Sequence, residues 1–78
     1  MVLSERFKLT VLKELKLEGF ELNENLKANQ VPGWDSLMHA IVIAALEREF
    51  RIRLKNMEII RCANLGDLMA LIDSKIQK

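Results

Sequence analysis

Asp35 and Ser36 are the neighbouring side chains of this chain best suited to chemistry. They follow a Pro-Gly-Trp sequence and precede an apolar run that begins at Leu37. Aspartate is a favoured N-cap and its carboxylate complements the helix dipole, so a helix is predicted to begin here. A serine in the first turn exposes its hydroxyl beside unpaired backbone N–H groups, where the helix end favours anions. A phosphodiester built on Ser36 would therefore lie in a favourable place.

Nothing in the sequence makes Ser36 a nucleophile in its own right. No glycine-rich nucleophile elbow surrounds it, and a hydrolase would need a histidine and a carboxylate converging on the hydroxyl. The single histidine, His39, lies one turn later on the same helix. His39 could approach a phosphate on Ser36, but we expect a lone surface histidine. No cysteine or second histidine lies at ligand spacing, so no metal site is predicted. On the Asp-Ser pair alone, a simple helix cap explains both residues.

The surrounding pattern predicts an all-α fold, a four-helix bundle with three longer helices and one short one. The first helix should begin at the N-cap Ser4, and a long loop between Gly19 and Gly33 should follow it. The second should run from Asp35 to about residue 50, and the short third over residues 56–61. Asn64 should cap the last helix, with Asp67 reaching back.

Helical spacing also predicts which side chains face the core. The expected buried residues are Phe7, Val11, Leu12 and Leu15 in the first helix, and Leu37, Ala40, Ile43, Ala44, Leu46 and Phe50 in the second. In the third helix they are Met57 and Ile60, and in the last Leu65, Leu68, Leu71 and Ile72. Residues 50–54 alternate like a strand but have no partner strand, so they are predicted to be an extended connection. Its Ile52 and Leu54 should plug the core.

The whole chain resembles the acyl carrier proteins, which bind phosphopantetheine. The motifs that carry the resemblance are Gly33-Trp34-Asp35-Ser36-Leu37, Ala45-Leu46-Glu47-Arg48-Glu49-Phe50, Glu58-Ile59 and Asn64-Leu65-Gly66-Asp67-Leu68, with Ile72 beyond. The resemblance implies a single carrier domain over residues 1–78. It also implies that a phosphopantetheinyl transferase attaches 4'-phosphopantetheine from coenzyme A to Ser36. Asp35 would serve in positioning and recognition during that transfer.

The resemblance further implies a discrete carrier with no catalytic activity of its own. The thiol of the arm would hold an acyl or aminoacyl group as a thioester, passed between acyl-loading and acyl-accepting enzymes. The expected state is a monomer. Two alternatives stay open, an unmodified interaction module of the same fold and a small helix-turn-helix protein that binds nucleic acid.

The second helix departs from the acidic surface typical of fatty-acid carriers. Met38 and Ile41 stand where acids would be expected, and Arg48 replaces another. We therefore expect a stand-alone member of a specialised pathway that docks its partners through Leu37, Met38 and Ile41, with Glu47 and Arg48 at the far end. Alternatively, Met38 and Ile41 are partly buried under the first loop.

Charge and composition exclude several other classes. Twelve basic and eleven acidic residues give a net charge of +1, which offers no argument for DNA, RNA or an anionic membrane. The most apolar stretch, residues 40–46, is too short to span a bilayer. The single Cys62 forms no internal disulfide and is expected to be buried and inert. We take a cytoplasmic location as the default.

Trp34 is expected to combine two roles, lining the attachment site and anchoring the loop.

Overall fold

The computed structural model describes residues 3–76, which form four α-helices and one 3-10 turn. In chain order the helices are α1 (Glu5–Leu15), α2 (Ser36–Phe50), α3 (Asn56–Ile60) and α4 (Leu65–Ile76), with the 3-10 turn at Ala28–Gln30 between α1 and α2. No strand forms within residues 3–76. The predicted all-α architecture, with one short helix and a long connection between the first two, is confirmed.

Local side-chain chemistry sets where the helices begin. Ser4, Asp35 and Asn64 each accept a hydrogen bond from the backbone N–H three residues later, at 3.2, 2.8 and 2.8 Å. Each bond satisfies one donor that a helix start leaves unpaired. Asp67 also reaches back as predicted, although its carboxylate accepts from the N–H of Ala63, at 2.9 Å, rather than from Asn64.

One hydrophobic core joins the helices to the long connection. Its largest fully buried side chains come from α1, α2 and α4, and they are Phe7, Val11, Val42, Leu46, Leu65 and Ile72. The connection adds Leu22, Val31 and Trp34, which are almost completely buried. Leu54 is buried and Ile52 packs against the core, so their predicted plugging role is confirmed. The connection is shorter than the predicted 50–54, because Phe50 ends α2 and Arg51 is its left-handed C-cap.

The buried face of α2 differs from the prediction. Leu37, Ala40 and Ala44 are exposed, while Val42 and Ala45 are buried in their place. Residues 37–46 are apolar at every position except 39. Such a run has no polar face to fix its rotation from sequence, and packing against α1 and the connection decides it instead.

The inward face of α3 was also predicted wrongly. Met57 and Ile60 are 64% and 74% exposed, and Ile59 packs against the core instead. Glu58 sets this rotation because its carboxylate accepts from the N–H of Lys55, at 3.0 Å, and pairs with Lys75 of α4, at 2.8 Å. The Lys75 hydrogen bond and then the Lys55 N–H lower the pKa of the Glu58 carboxyl.

Backbone hydrogen bonds hold the connection against the start of α4. The N–H of Leu65 donates to the carbonyl of Leu26 at 2.8 Å, and the N–H of Gly66 donates to the carbonyl of Glu24 at 2.9 Å. A Cβ at Gly66 would lie 2.9 Å from the Glu24 Cβ and 3.0 Å from its carbonyl oxygen. Glycine is therefore required here for close approach of two backbones.

Substituting Gly66→Ala is expected to lower the free energy of unfolding by about 1–3 kcal/mol, because the new methyl group overpacks this contact. Chemical denaturation with urea measures the change. In an unobstructed helix, Gly→Ala stabilises by roughly 0.5–1 kcal/mol, so a more stable variant would contradict the close approach. Adding Glu24→Gly removes one of the two short contacts and should recover part of the loss.

Candidate functional site

Ser36 is the first residue of α2, and its side chain is exposed. Within residues 3–76, neither its hydroxyl nor the backbone N–H groups of Ser36 and Leu37 have a hydrogen-bond partner. The next N–H, that of Met38, is occupied by the carboxylate of Asp35 at 2.8 Å. The hydroxyl is therefore free to be modified, beside two donors that an anion at the helix end would satisfy.

A tight turn and a buried indole position this helix start. The N–H of Trp34 donates to the carbonyl of Val31 at 3.1 Å, and that of Asp35 donates to Gly33 at 3.1 Å. Gly33 has φ +82°, a left-handed conformation that glycine adopts without strain. Trp34 is only 7% exposed, so burial of its side chain anchors the turn on the bundle. The position of Ser36 is thus fixed by the preceding turn and by the buried side chain of Trp34, two residues earlier.

Trp34 also forms a polar contact that the sequence did not predict. Its Nε1–H donates to Nδ1 of His39 at 3.1 Å, and the two ring centroids lie 6.1 Å apart. His39 is half-buried, so the expectation of a lone surface histidine was wrong. The indole N–H can only donate, so Nδ1 of His39 is the acceptor in this contact. The sequence did offer one signal, the five-residue spacing between the two. Trp34 immediately precedes the N-cap of α2 and His39 is the fourth residue of that helix, so the two side chains can meet over its first turn.

A small cavity lies beside this aromatic pair. Its volume is about 60 Å³, and it is lined by Trp34 and His39 together with Ile59, Cys62 and Leu68. The space exceeds the roughly 10–15 Å³ that one water molecule needs.

Cys62 lies at the edge of the cavity and is half-buried. Its Sγ–H donates to the carbonyl of Glu58 at 3.5 Å. Burial raises the pKa of the Cys62 thiol, and the carboxylates of Asp67 and Glu58 raise it further. These surroundings disfavour the thiolate, which is the reactive form.

The five side chains expected to dock partners lie in different environments. Leu37 is 72% exposed and Ile41 is 41% exposed, whereas Met38 is half-buried. Arg48 is exposed at the last turn of α2. Glu47 is half-buried, and its Oε2 accepts from the N–H of Leu54 at 2.8 Å, so its carboxylate holds the extended connection.

Four exposed residues of α2 form one continuous stripe. Leu37, Ile41, Ala44 and Arg48 recur at intervals of four, three and four residues, which places them on one face of the helix. The stripe begins next to Ser36 and ends in a cation. This face was missed as a unit, because the exposure of Ala44 depends on the rotation of α2.

Neither a metal site nor a membrane span is found in the described part of the chain. Residues 3–76 contain no group of three or more His, Cys, Asp or Glu side chains placed to hold a metal ion. None of the helices in this range combines the length and apolar character needed to cross a bilayer.

Comparison with known families gives a match over most of the chain. The family model described as the phosphopantetheine attachment site matches residues 5–72. No curated protein and no solved structure shows significant similarity to the chain. The matched range includes all of α1, α2 and α3 and most of α4.

The residues at Ser36 fit that group. Attachment through a phosphodiester needs an accessible hydroxyl, and the phosphate oxygens need donors. The exposed Ser36 side chain supplies the first, and the free N–H groups of Ser36 and Leu37 supply the second.

Asp35 caps the N-terminus of α2, and it is also predicted to be recognised by the transferase. We expect variants to separate these two roles. Asp35→Ala should lower the free energy of unfolding by about 1 kcal/mol, because the Met38 N–H loses its acceptor. Asp35→Asn keeps an acceptor and should cost less. The measurements are urea denaturation and the rate of Ser36 modification by a transferase. A normal rate in the stable Asn variant would contradict a role for the charge.

Cys62 is expected to react slowly with thiol reagents. Its raised pKa leaves less thiolate at pH 8 than an unburied cysteine has, and its half-buried position restricts access. The rate of reaction with Ellman's reagent, compared with that of glutathione at the same pH, measures this. A rate equal to or above that of glutathione would show that the environment does not protect the thiol.

Proposed function

Because the chain belongs to the family of phosphopantetheine attachment domains, we propose that it is an acyl carrier protein modified at Ser36. The observation that carries the assignment is the exposed, unpaired Ser36 hydroxyl at the start of α2, inside the matched range. The covalent cofactor of this family is 4'-phosphopantetheine. When bound, it supplies a thiol that holds an acyl or aminoacyl group as a thioester.

The residues around Ser36 support a carrier that relies on other enzymes for chemistry. During modification the Ser36 oxygen would form a bond to the phosphorus that bears pantetheine in coenzyme A. The pyrophosphate bond would break, and the adenosine bisphosphate would leave. A base must take the hydroxyl proton, and within residues 3–76 no hydrogen bond joins that hydroxyl to His39 or Asp35. Nδ1 of His39 accepts from Trp34, and Oδ1 of Asp35 accepts from Met38. The base would therefore come from the transferase.

The surface of α2 supports service in a specialised pathway. Leu37 and Ile41 offer an apolar contact next to the attachment point, and Arg48 offers a positive charge at the other end. Partners that select carriers by an acidic second helix would find little complementarity here. We propose that dedicated acyl-loading and acyl-accepting enzymes bind this face. Met38, half-buried beside it, would contribute an adaptable rim.

An unmodified interaction module of the same fold remains the second candidate. The observation that favours it is the second pair of exposed apolar side chains, Met57 and Ile60 on α3, which a binding module would use without any cofactor. Intact-mass analysis of protein purified from its native host separates the two functions. A carrier is recovered with an added mass on Ser36, and a module is recovered unmodified.

Incubation with coenzyme A and a broad-specificity phosphopantetheinyl transferase should increase the mass by about 340 Da, the arm that the family carries. Ser36→Ala must stay unmodified. Ser74→Ala is the matched control, because Ser74 is also an exposed helical serine, and this variant should be modified at the wild-type rate. Unchanged mass in the wild type, or addition to the Ser36→Ala variant, would overturn the assignment.

A further inference from the structure

Basic side chains gather at the end of α2 that is remote from Ser36. Arg48 lies in the last turn of the helix, and Arg51, Arg53 and Lys55 follow in the connection to α3. All four are exposed. Within residues 3–76, none of them forms an ion pair, and the pairs that do form join Arg6 to Glu49, Lys8 to Glu5 and Lys75 to Glu58.

A surface concavity of about 570 Å³ lies beside three of these cations, Arg51, Arg53 and Lys55. It is lined by Glu47, Arg51, Ile52, Arg53, Lys55 and Lys75. The Lys75 ammonium is neutralised by Glu58, and the Glu47 carboxylate already accepts the N–H of Leu54. The concavity therefore presents three cations without an ion-pair partner and one carboxylate that is already hydrogen-bonded.

The helix dipole explains why cations stand at only two of these four positions. Cations at a helix C-terminus are favoured by the dipole, which explains Arg48 and Arg51. Arg53 lies between two helices and caps neither. Lys55 stands at the N-cap of α3, where the helix dipole disfavours a cation. Within residues 3–76, only the Glu58 carboxylate of the same helix offsets this, since its pKa is lowered by the hydrogen bond from the α4 lysine and, to a smaller extent, by the Lys55 charge. Arg51, Arg53 and Lys55 line the same concavity, and exposed like charges repel when they are closer than a Debye length, about 8–10 Å. A partner that brings anions to this end of α2 would relieve that repulsion.

The cluster is continuous with the apolar stripe that begins beside Ser36. Arg48 shares the exposed face of Leu37 and Ile41, and it lies about 17 Å from Leu37 along the helix axis at 1.5 Å per residue. A typical interface covers about 800 Å² on each partner, which is wide enough to include both ends. A protein that reaches Ser36 across Leu37 and Ile41 would therefore meet the cations in the same encounter.

We propose that Arg48, Arg51, Arg53 and Lys55 form a basic docking cluster for a carboxylate-rich surface of an acyl-handling enzyme. This proposal rests on the carrier function above and specifies the partner. The enzyme presents an apolar patch to Leu37 and Ile41 and, about 17 Å away, aspartates or glutamates to the cluster. A protein surface fits better than a nucleic acid or an anionic membrane, because the net charge of the whole chain is only +1.

A decaglutamate peptide serves as the probe, titrated at low salt into the ¹⁵N-labelled, phosphopantetheine-bearing full chain. Amide shifts should concentrate at residues 48–55, and added salt should weaken binding. Arg48→Gln with Arg53→Gln should weaken binding about fivefold, since each lost exposed pair contributes modestly. Lys27→Gln with Arg61→Gln removes the same charge elsewhere and should bind like the wild type.

Several outcomes would overturn the cluster. One is amide shifts spread evenly over all basic residues, and another is an equal loss of peptide affinity in the Lys27→Gln, Arg61→Gln control. A third is tighter binding to phosphatidylglycerol vesicles or to a single-stranded oligonucleotide than to the peptide. The Ser36→Ala variant, titrated in parallel, should bind the peptide normally. Failure of the modification assay therefore contradicts the carrier function, whereas failure of the peptide to localise contradicts only the docking cluster.

Discussion

The hydrogen bonds between residues 24–26 and the first N–H groups of α4 hold the most demanding part of the fold in place. The connection over residues 16–35 contains only one 3-10 turn, so its order must offset a large conformational entropy. Two of its carbonyls satisfy donors that α4 would otherwise leave unpaired, and Gly66 lets the backbones meet. The buried side chains of Leu22, Val31 and Trp34 hold the rest of the segment against the core. The position of Ser36 depends on this docking, because the connection leads directly into α2.

The site itself is built from the same forces that end and begin helices. Asp35 holds the Met38 N–H, the turn at Gly33 directs the chain, and Trp34 fixes the turn to the core. In the proposed carrier function, no residue of this chain has to activate the Ser36 hydroxyl. The protein needs only to expose that hydroxyl at a defined place and to offer a surface that an enzyme can recognise.

Features that depend on local chemistry could be predicted from the sequence, and features that depend on packing could not. The N-caps Ser4, Asp35 and Asn64 involve donors three residues away, so residue type and spacing are enough. Residues 37–46 of α2 are almost uniformly apolar, so the rotation of the helix depends on what packs against it. The sequence therefore predicted the wrong buried residues for this helix. The same limit applied to α3, where Glu58 pairs with Lys75 near the far end of the next helix, a contact that exists only in the folded chain. The position of Ser36 at the helix start followed from its neighbours, whereas the contact between Trp34 and His39 required the folded chain.

The buried indole beside the proposed attachment point gives the protein a simple optical signal, because of its composition. Trp34 is the only tryptophan, and the chain has no tyrosine. Near-ultraviolet absorbance and emission therefore come almost entirely from one ring, two residues from Ser36. That ring is hydrogen-bonded to His39 and borders the small cavity among α2, α3 and α4. The emission spectrum of the unlabelled protein thus reports on polarity and motion at the place where the phosphopantetheine arm would be attached.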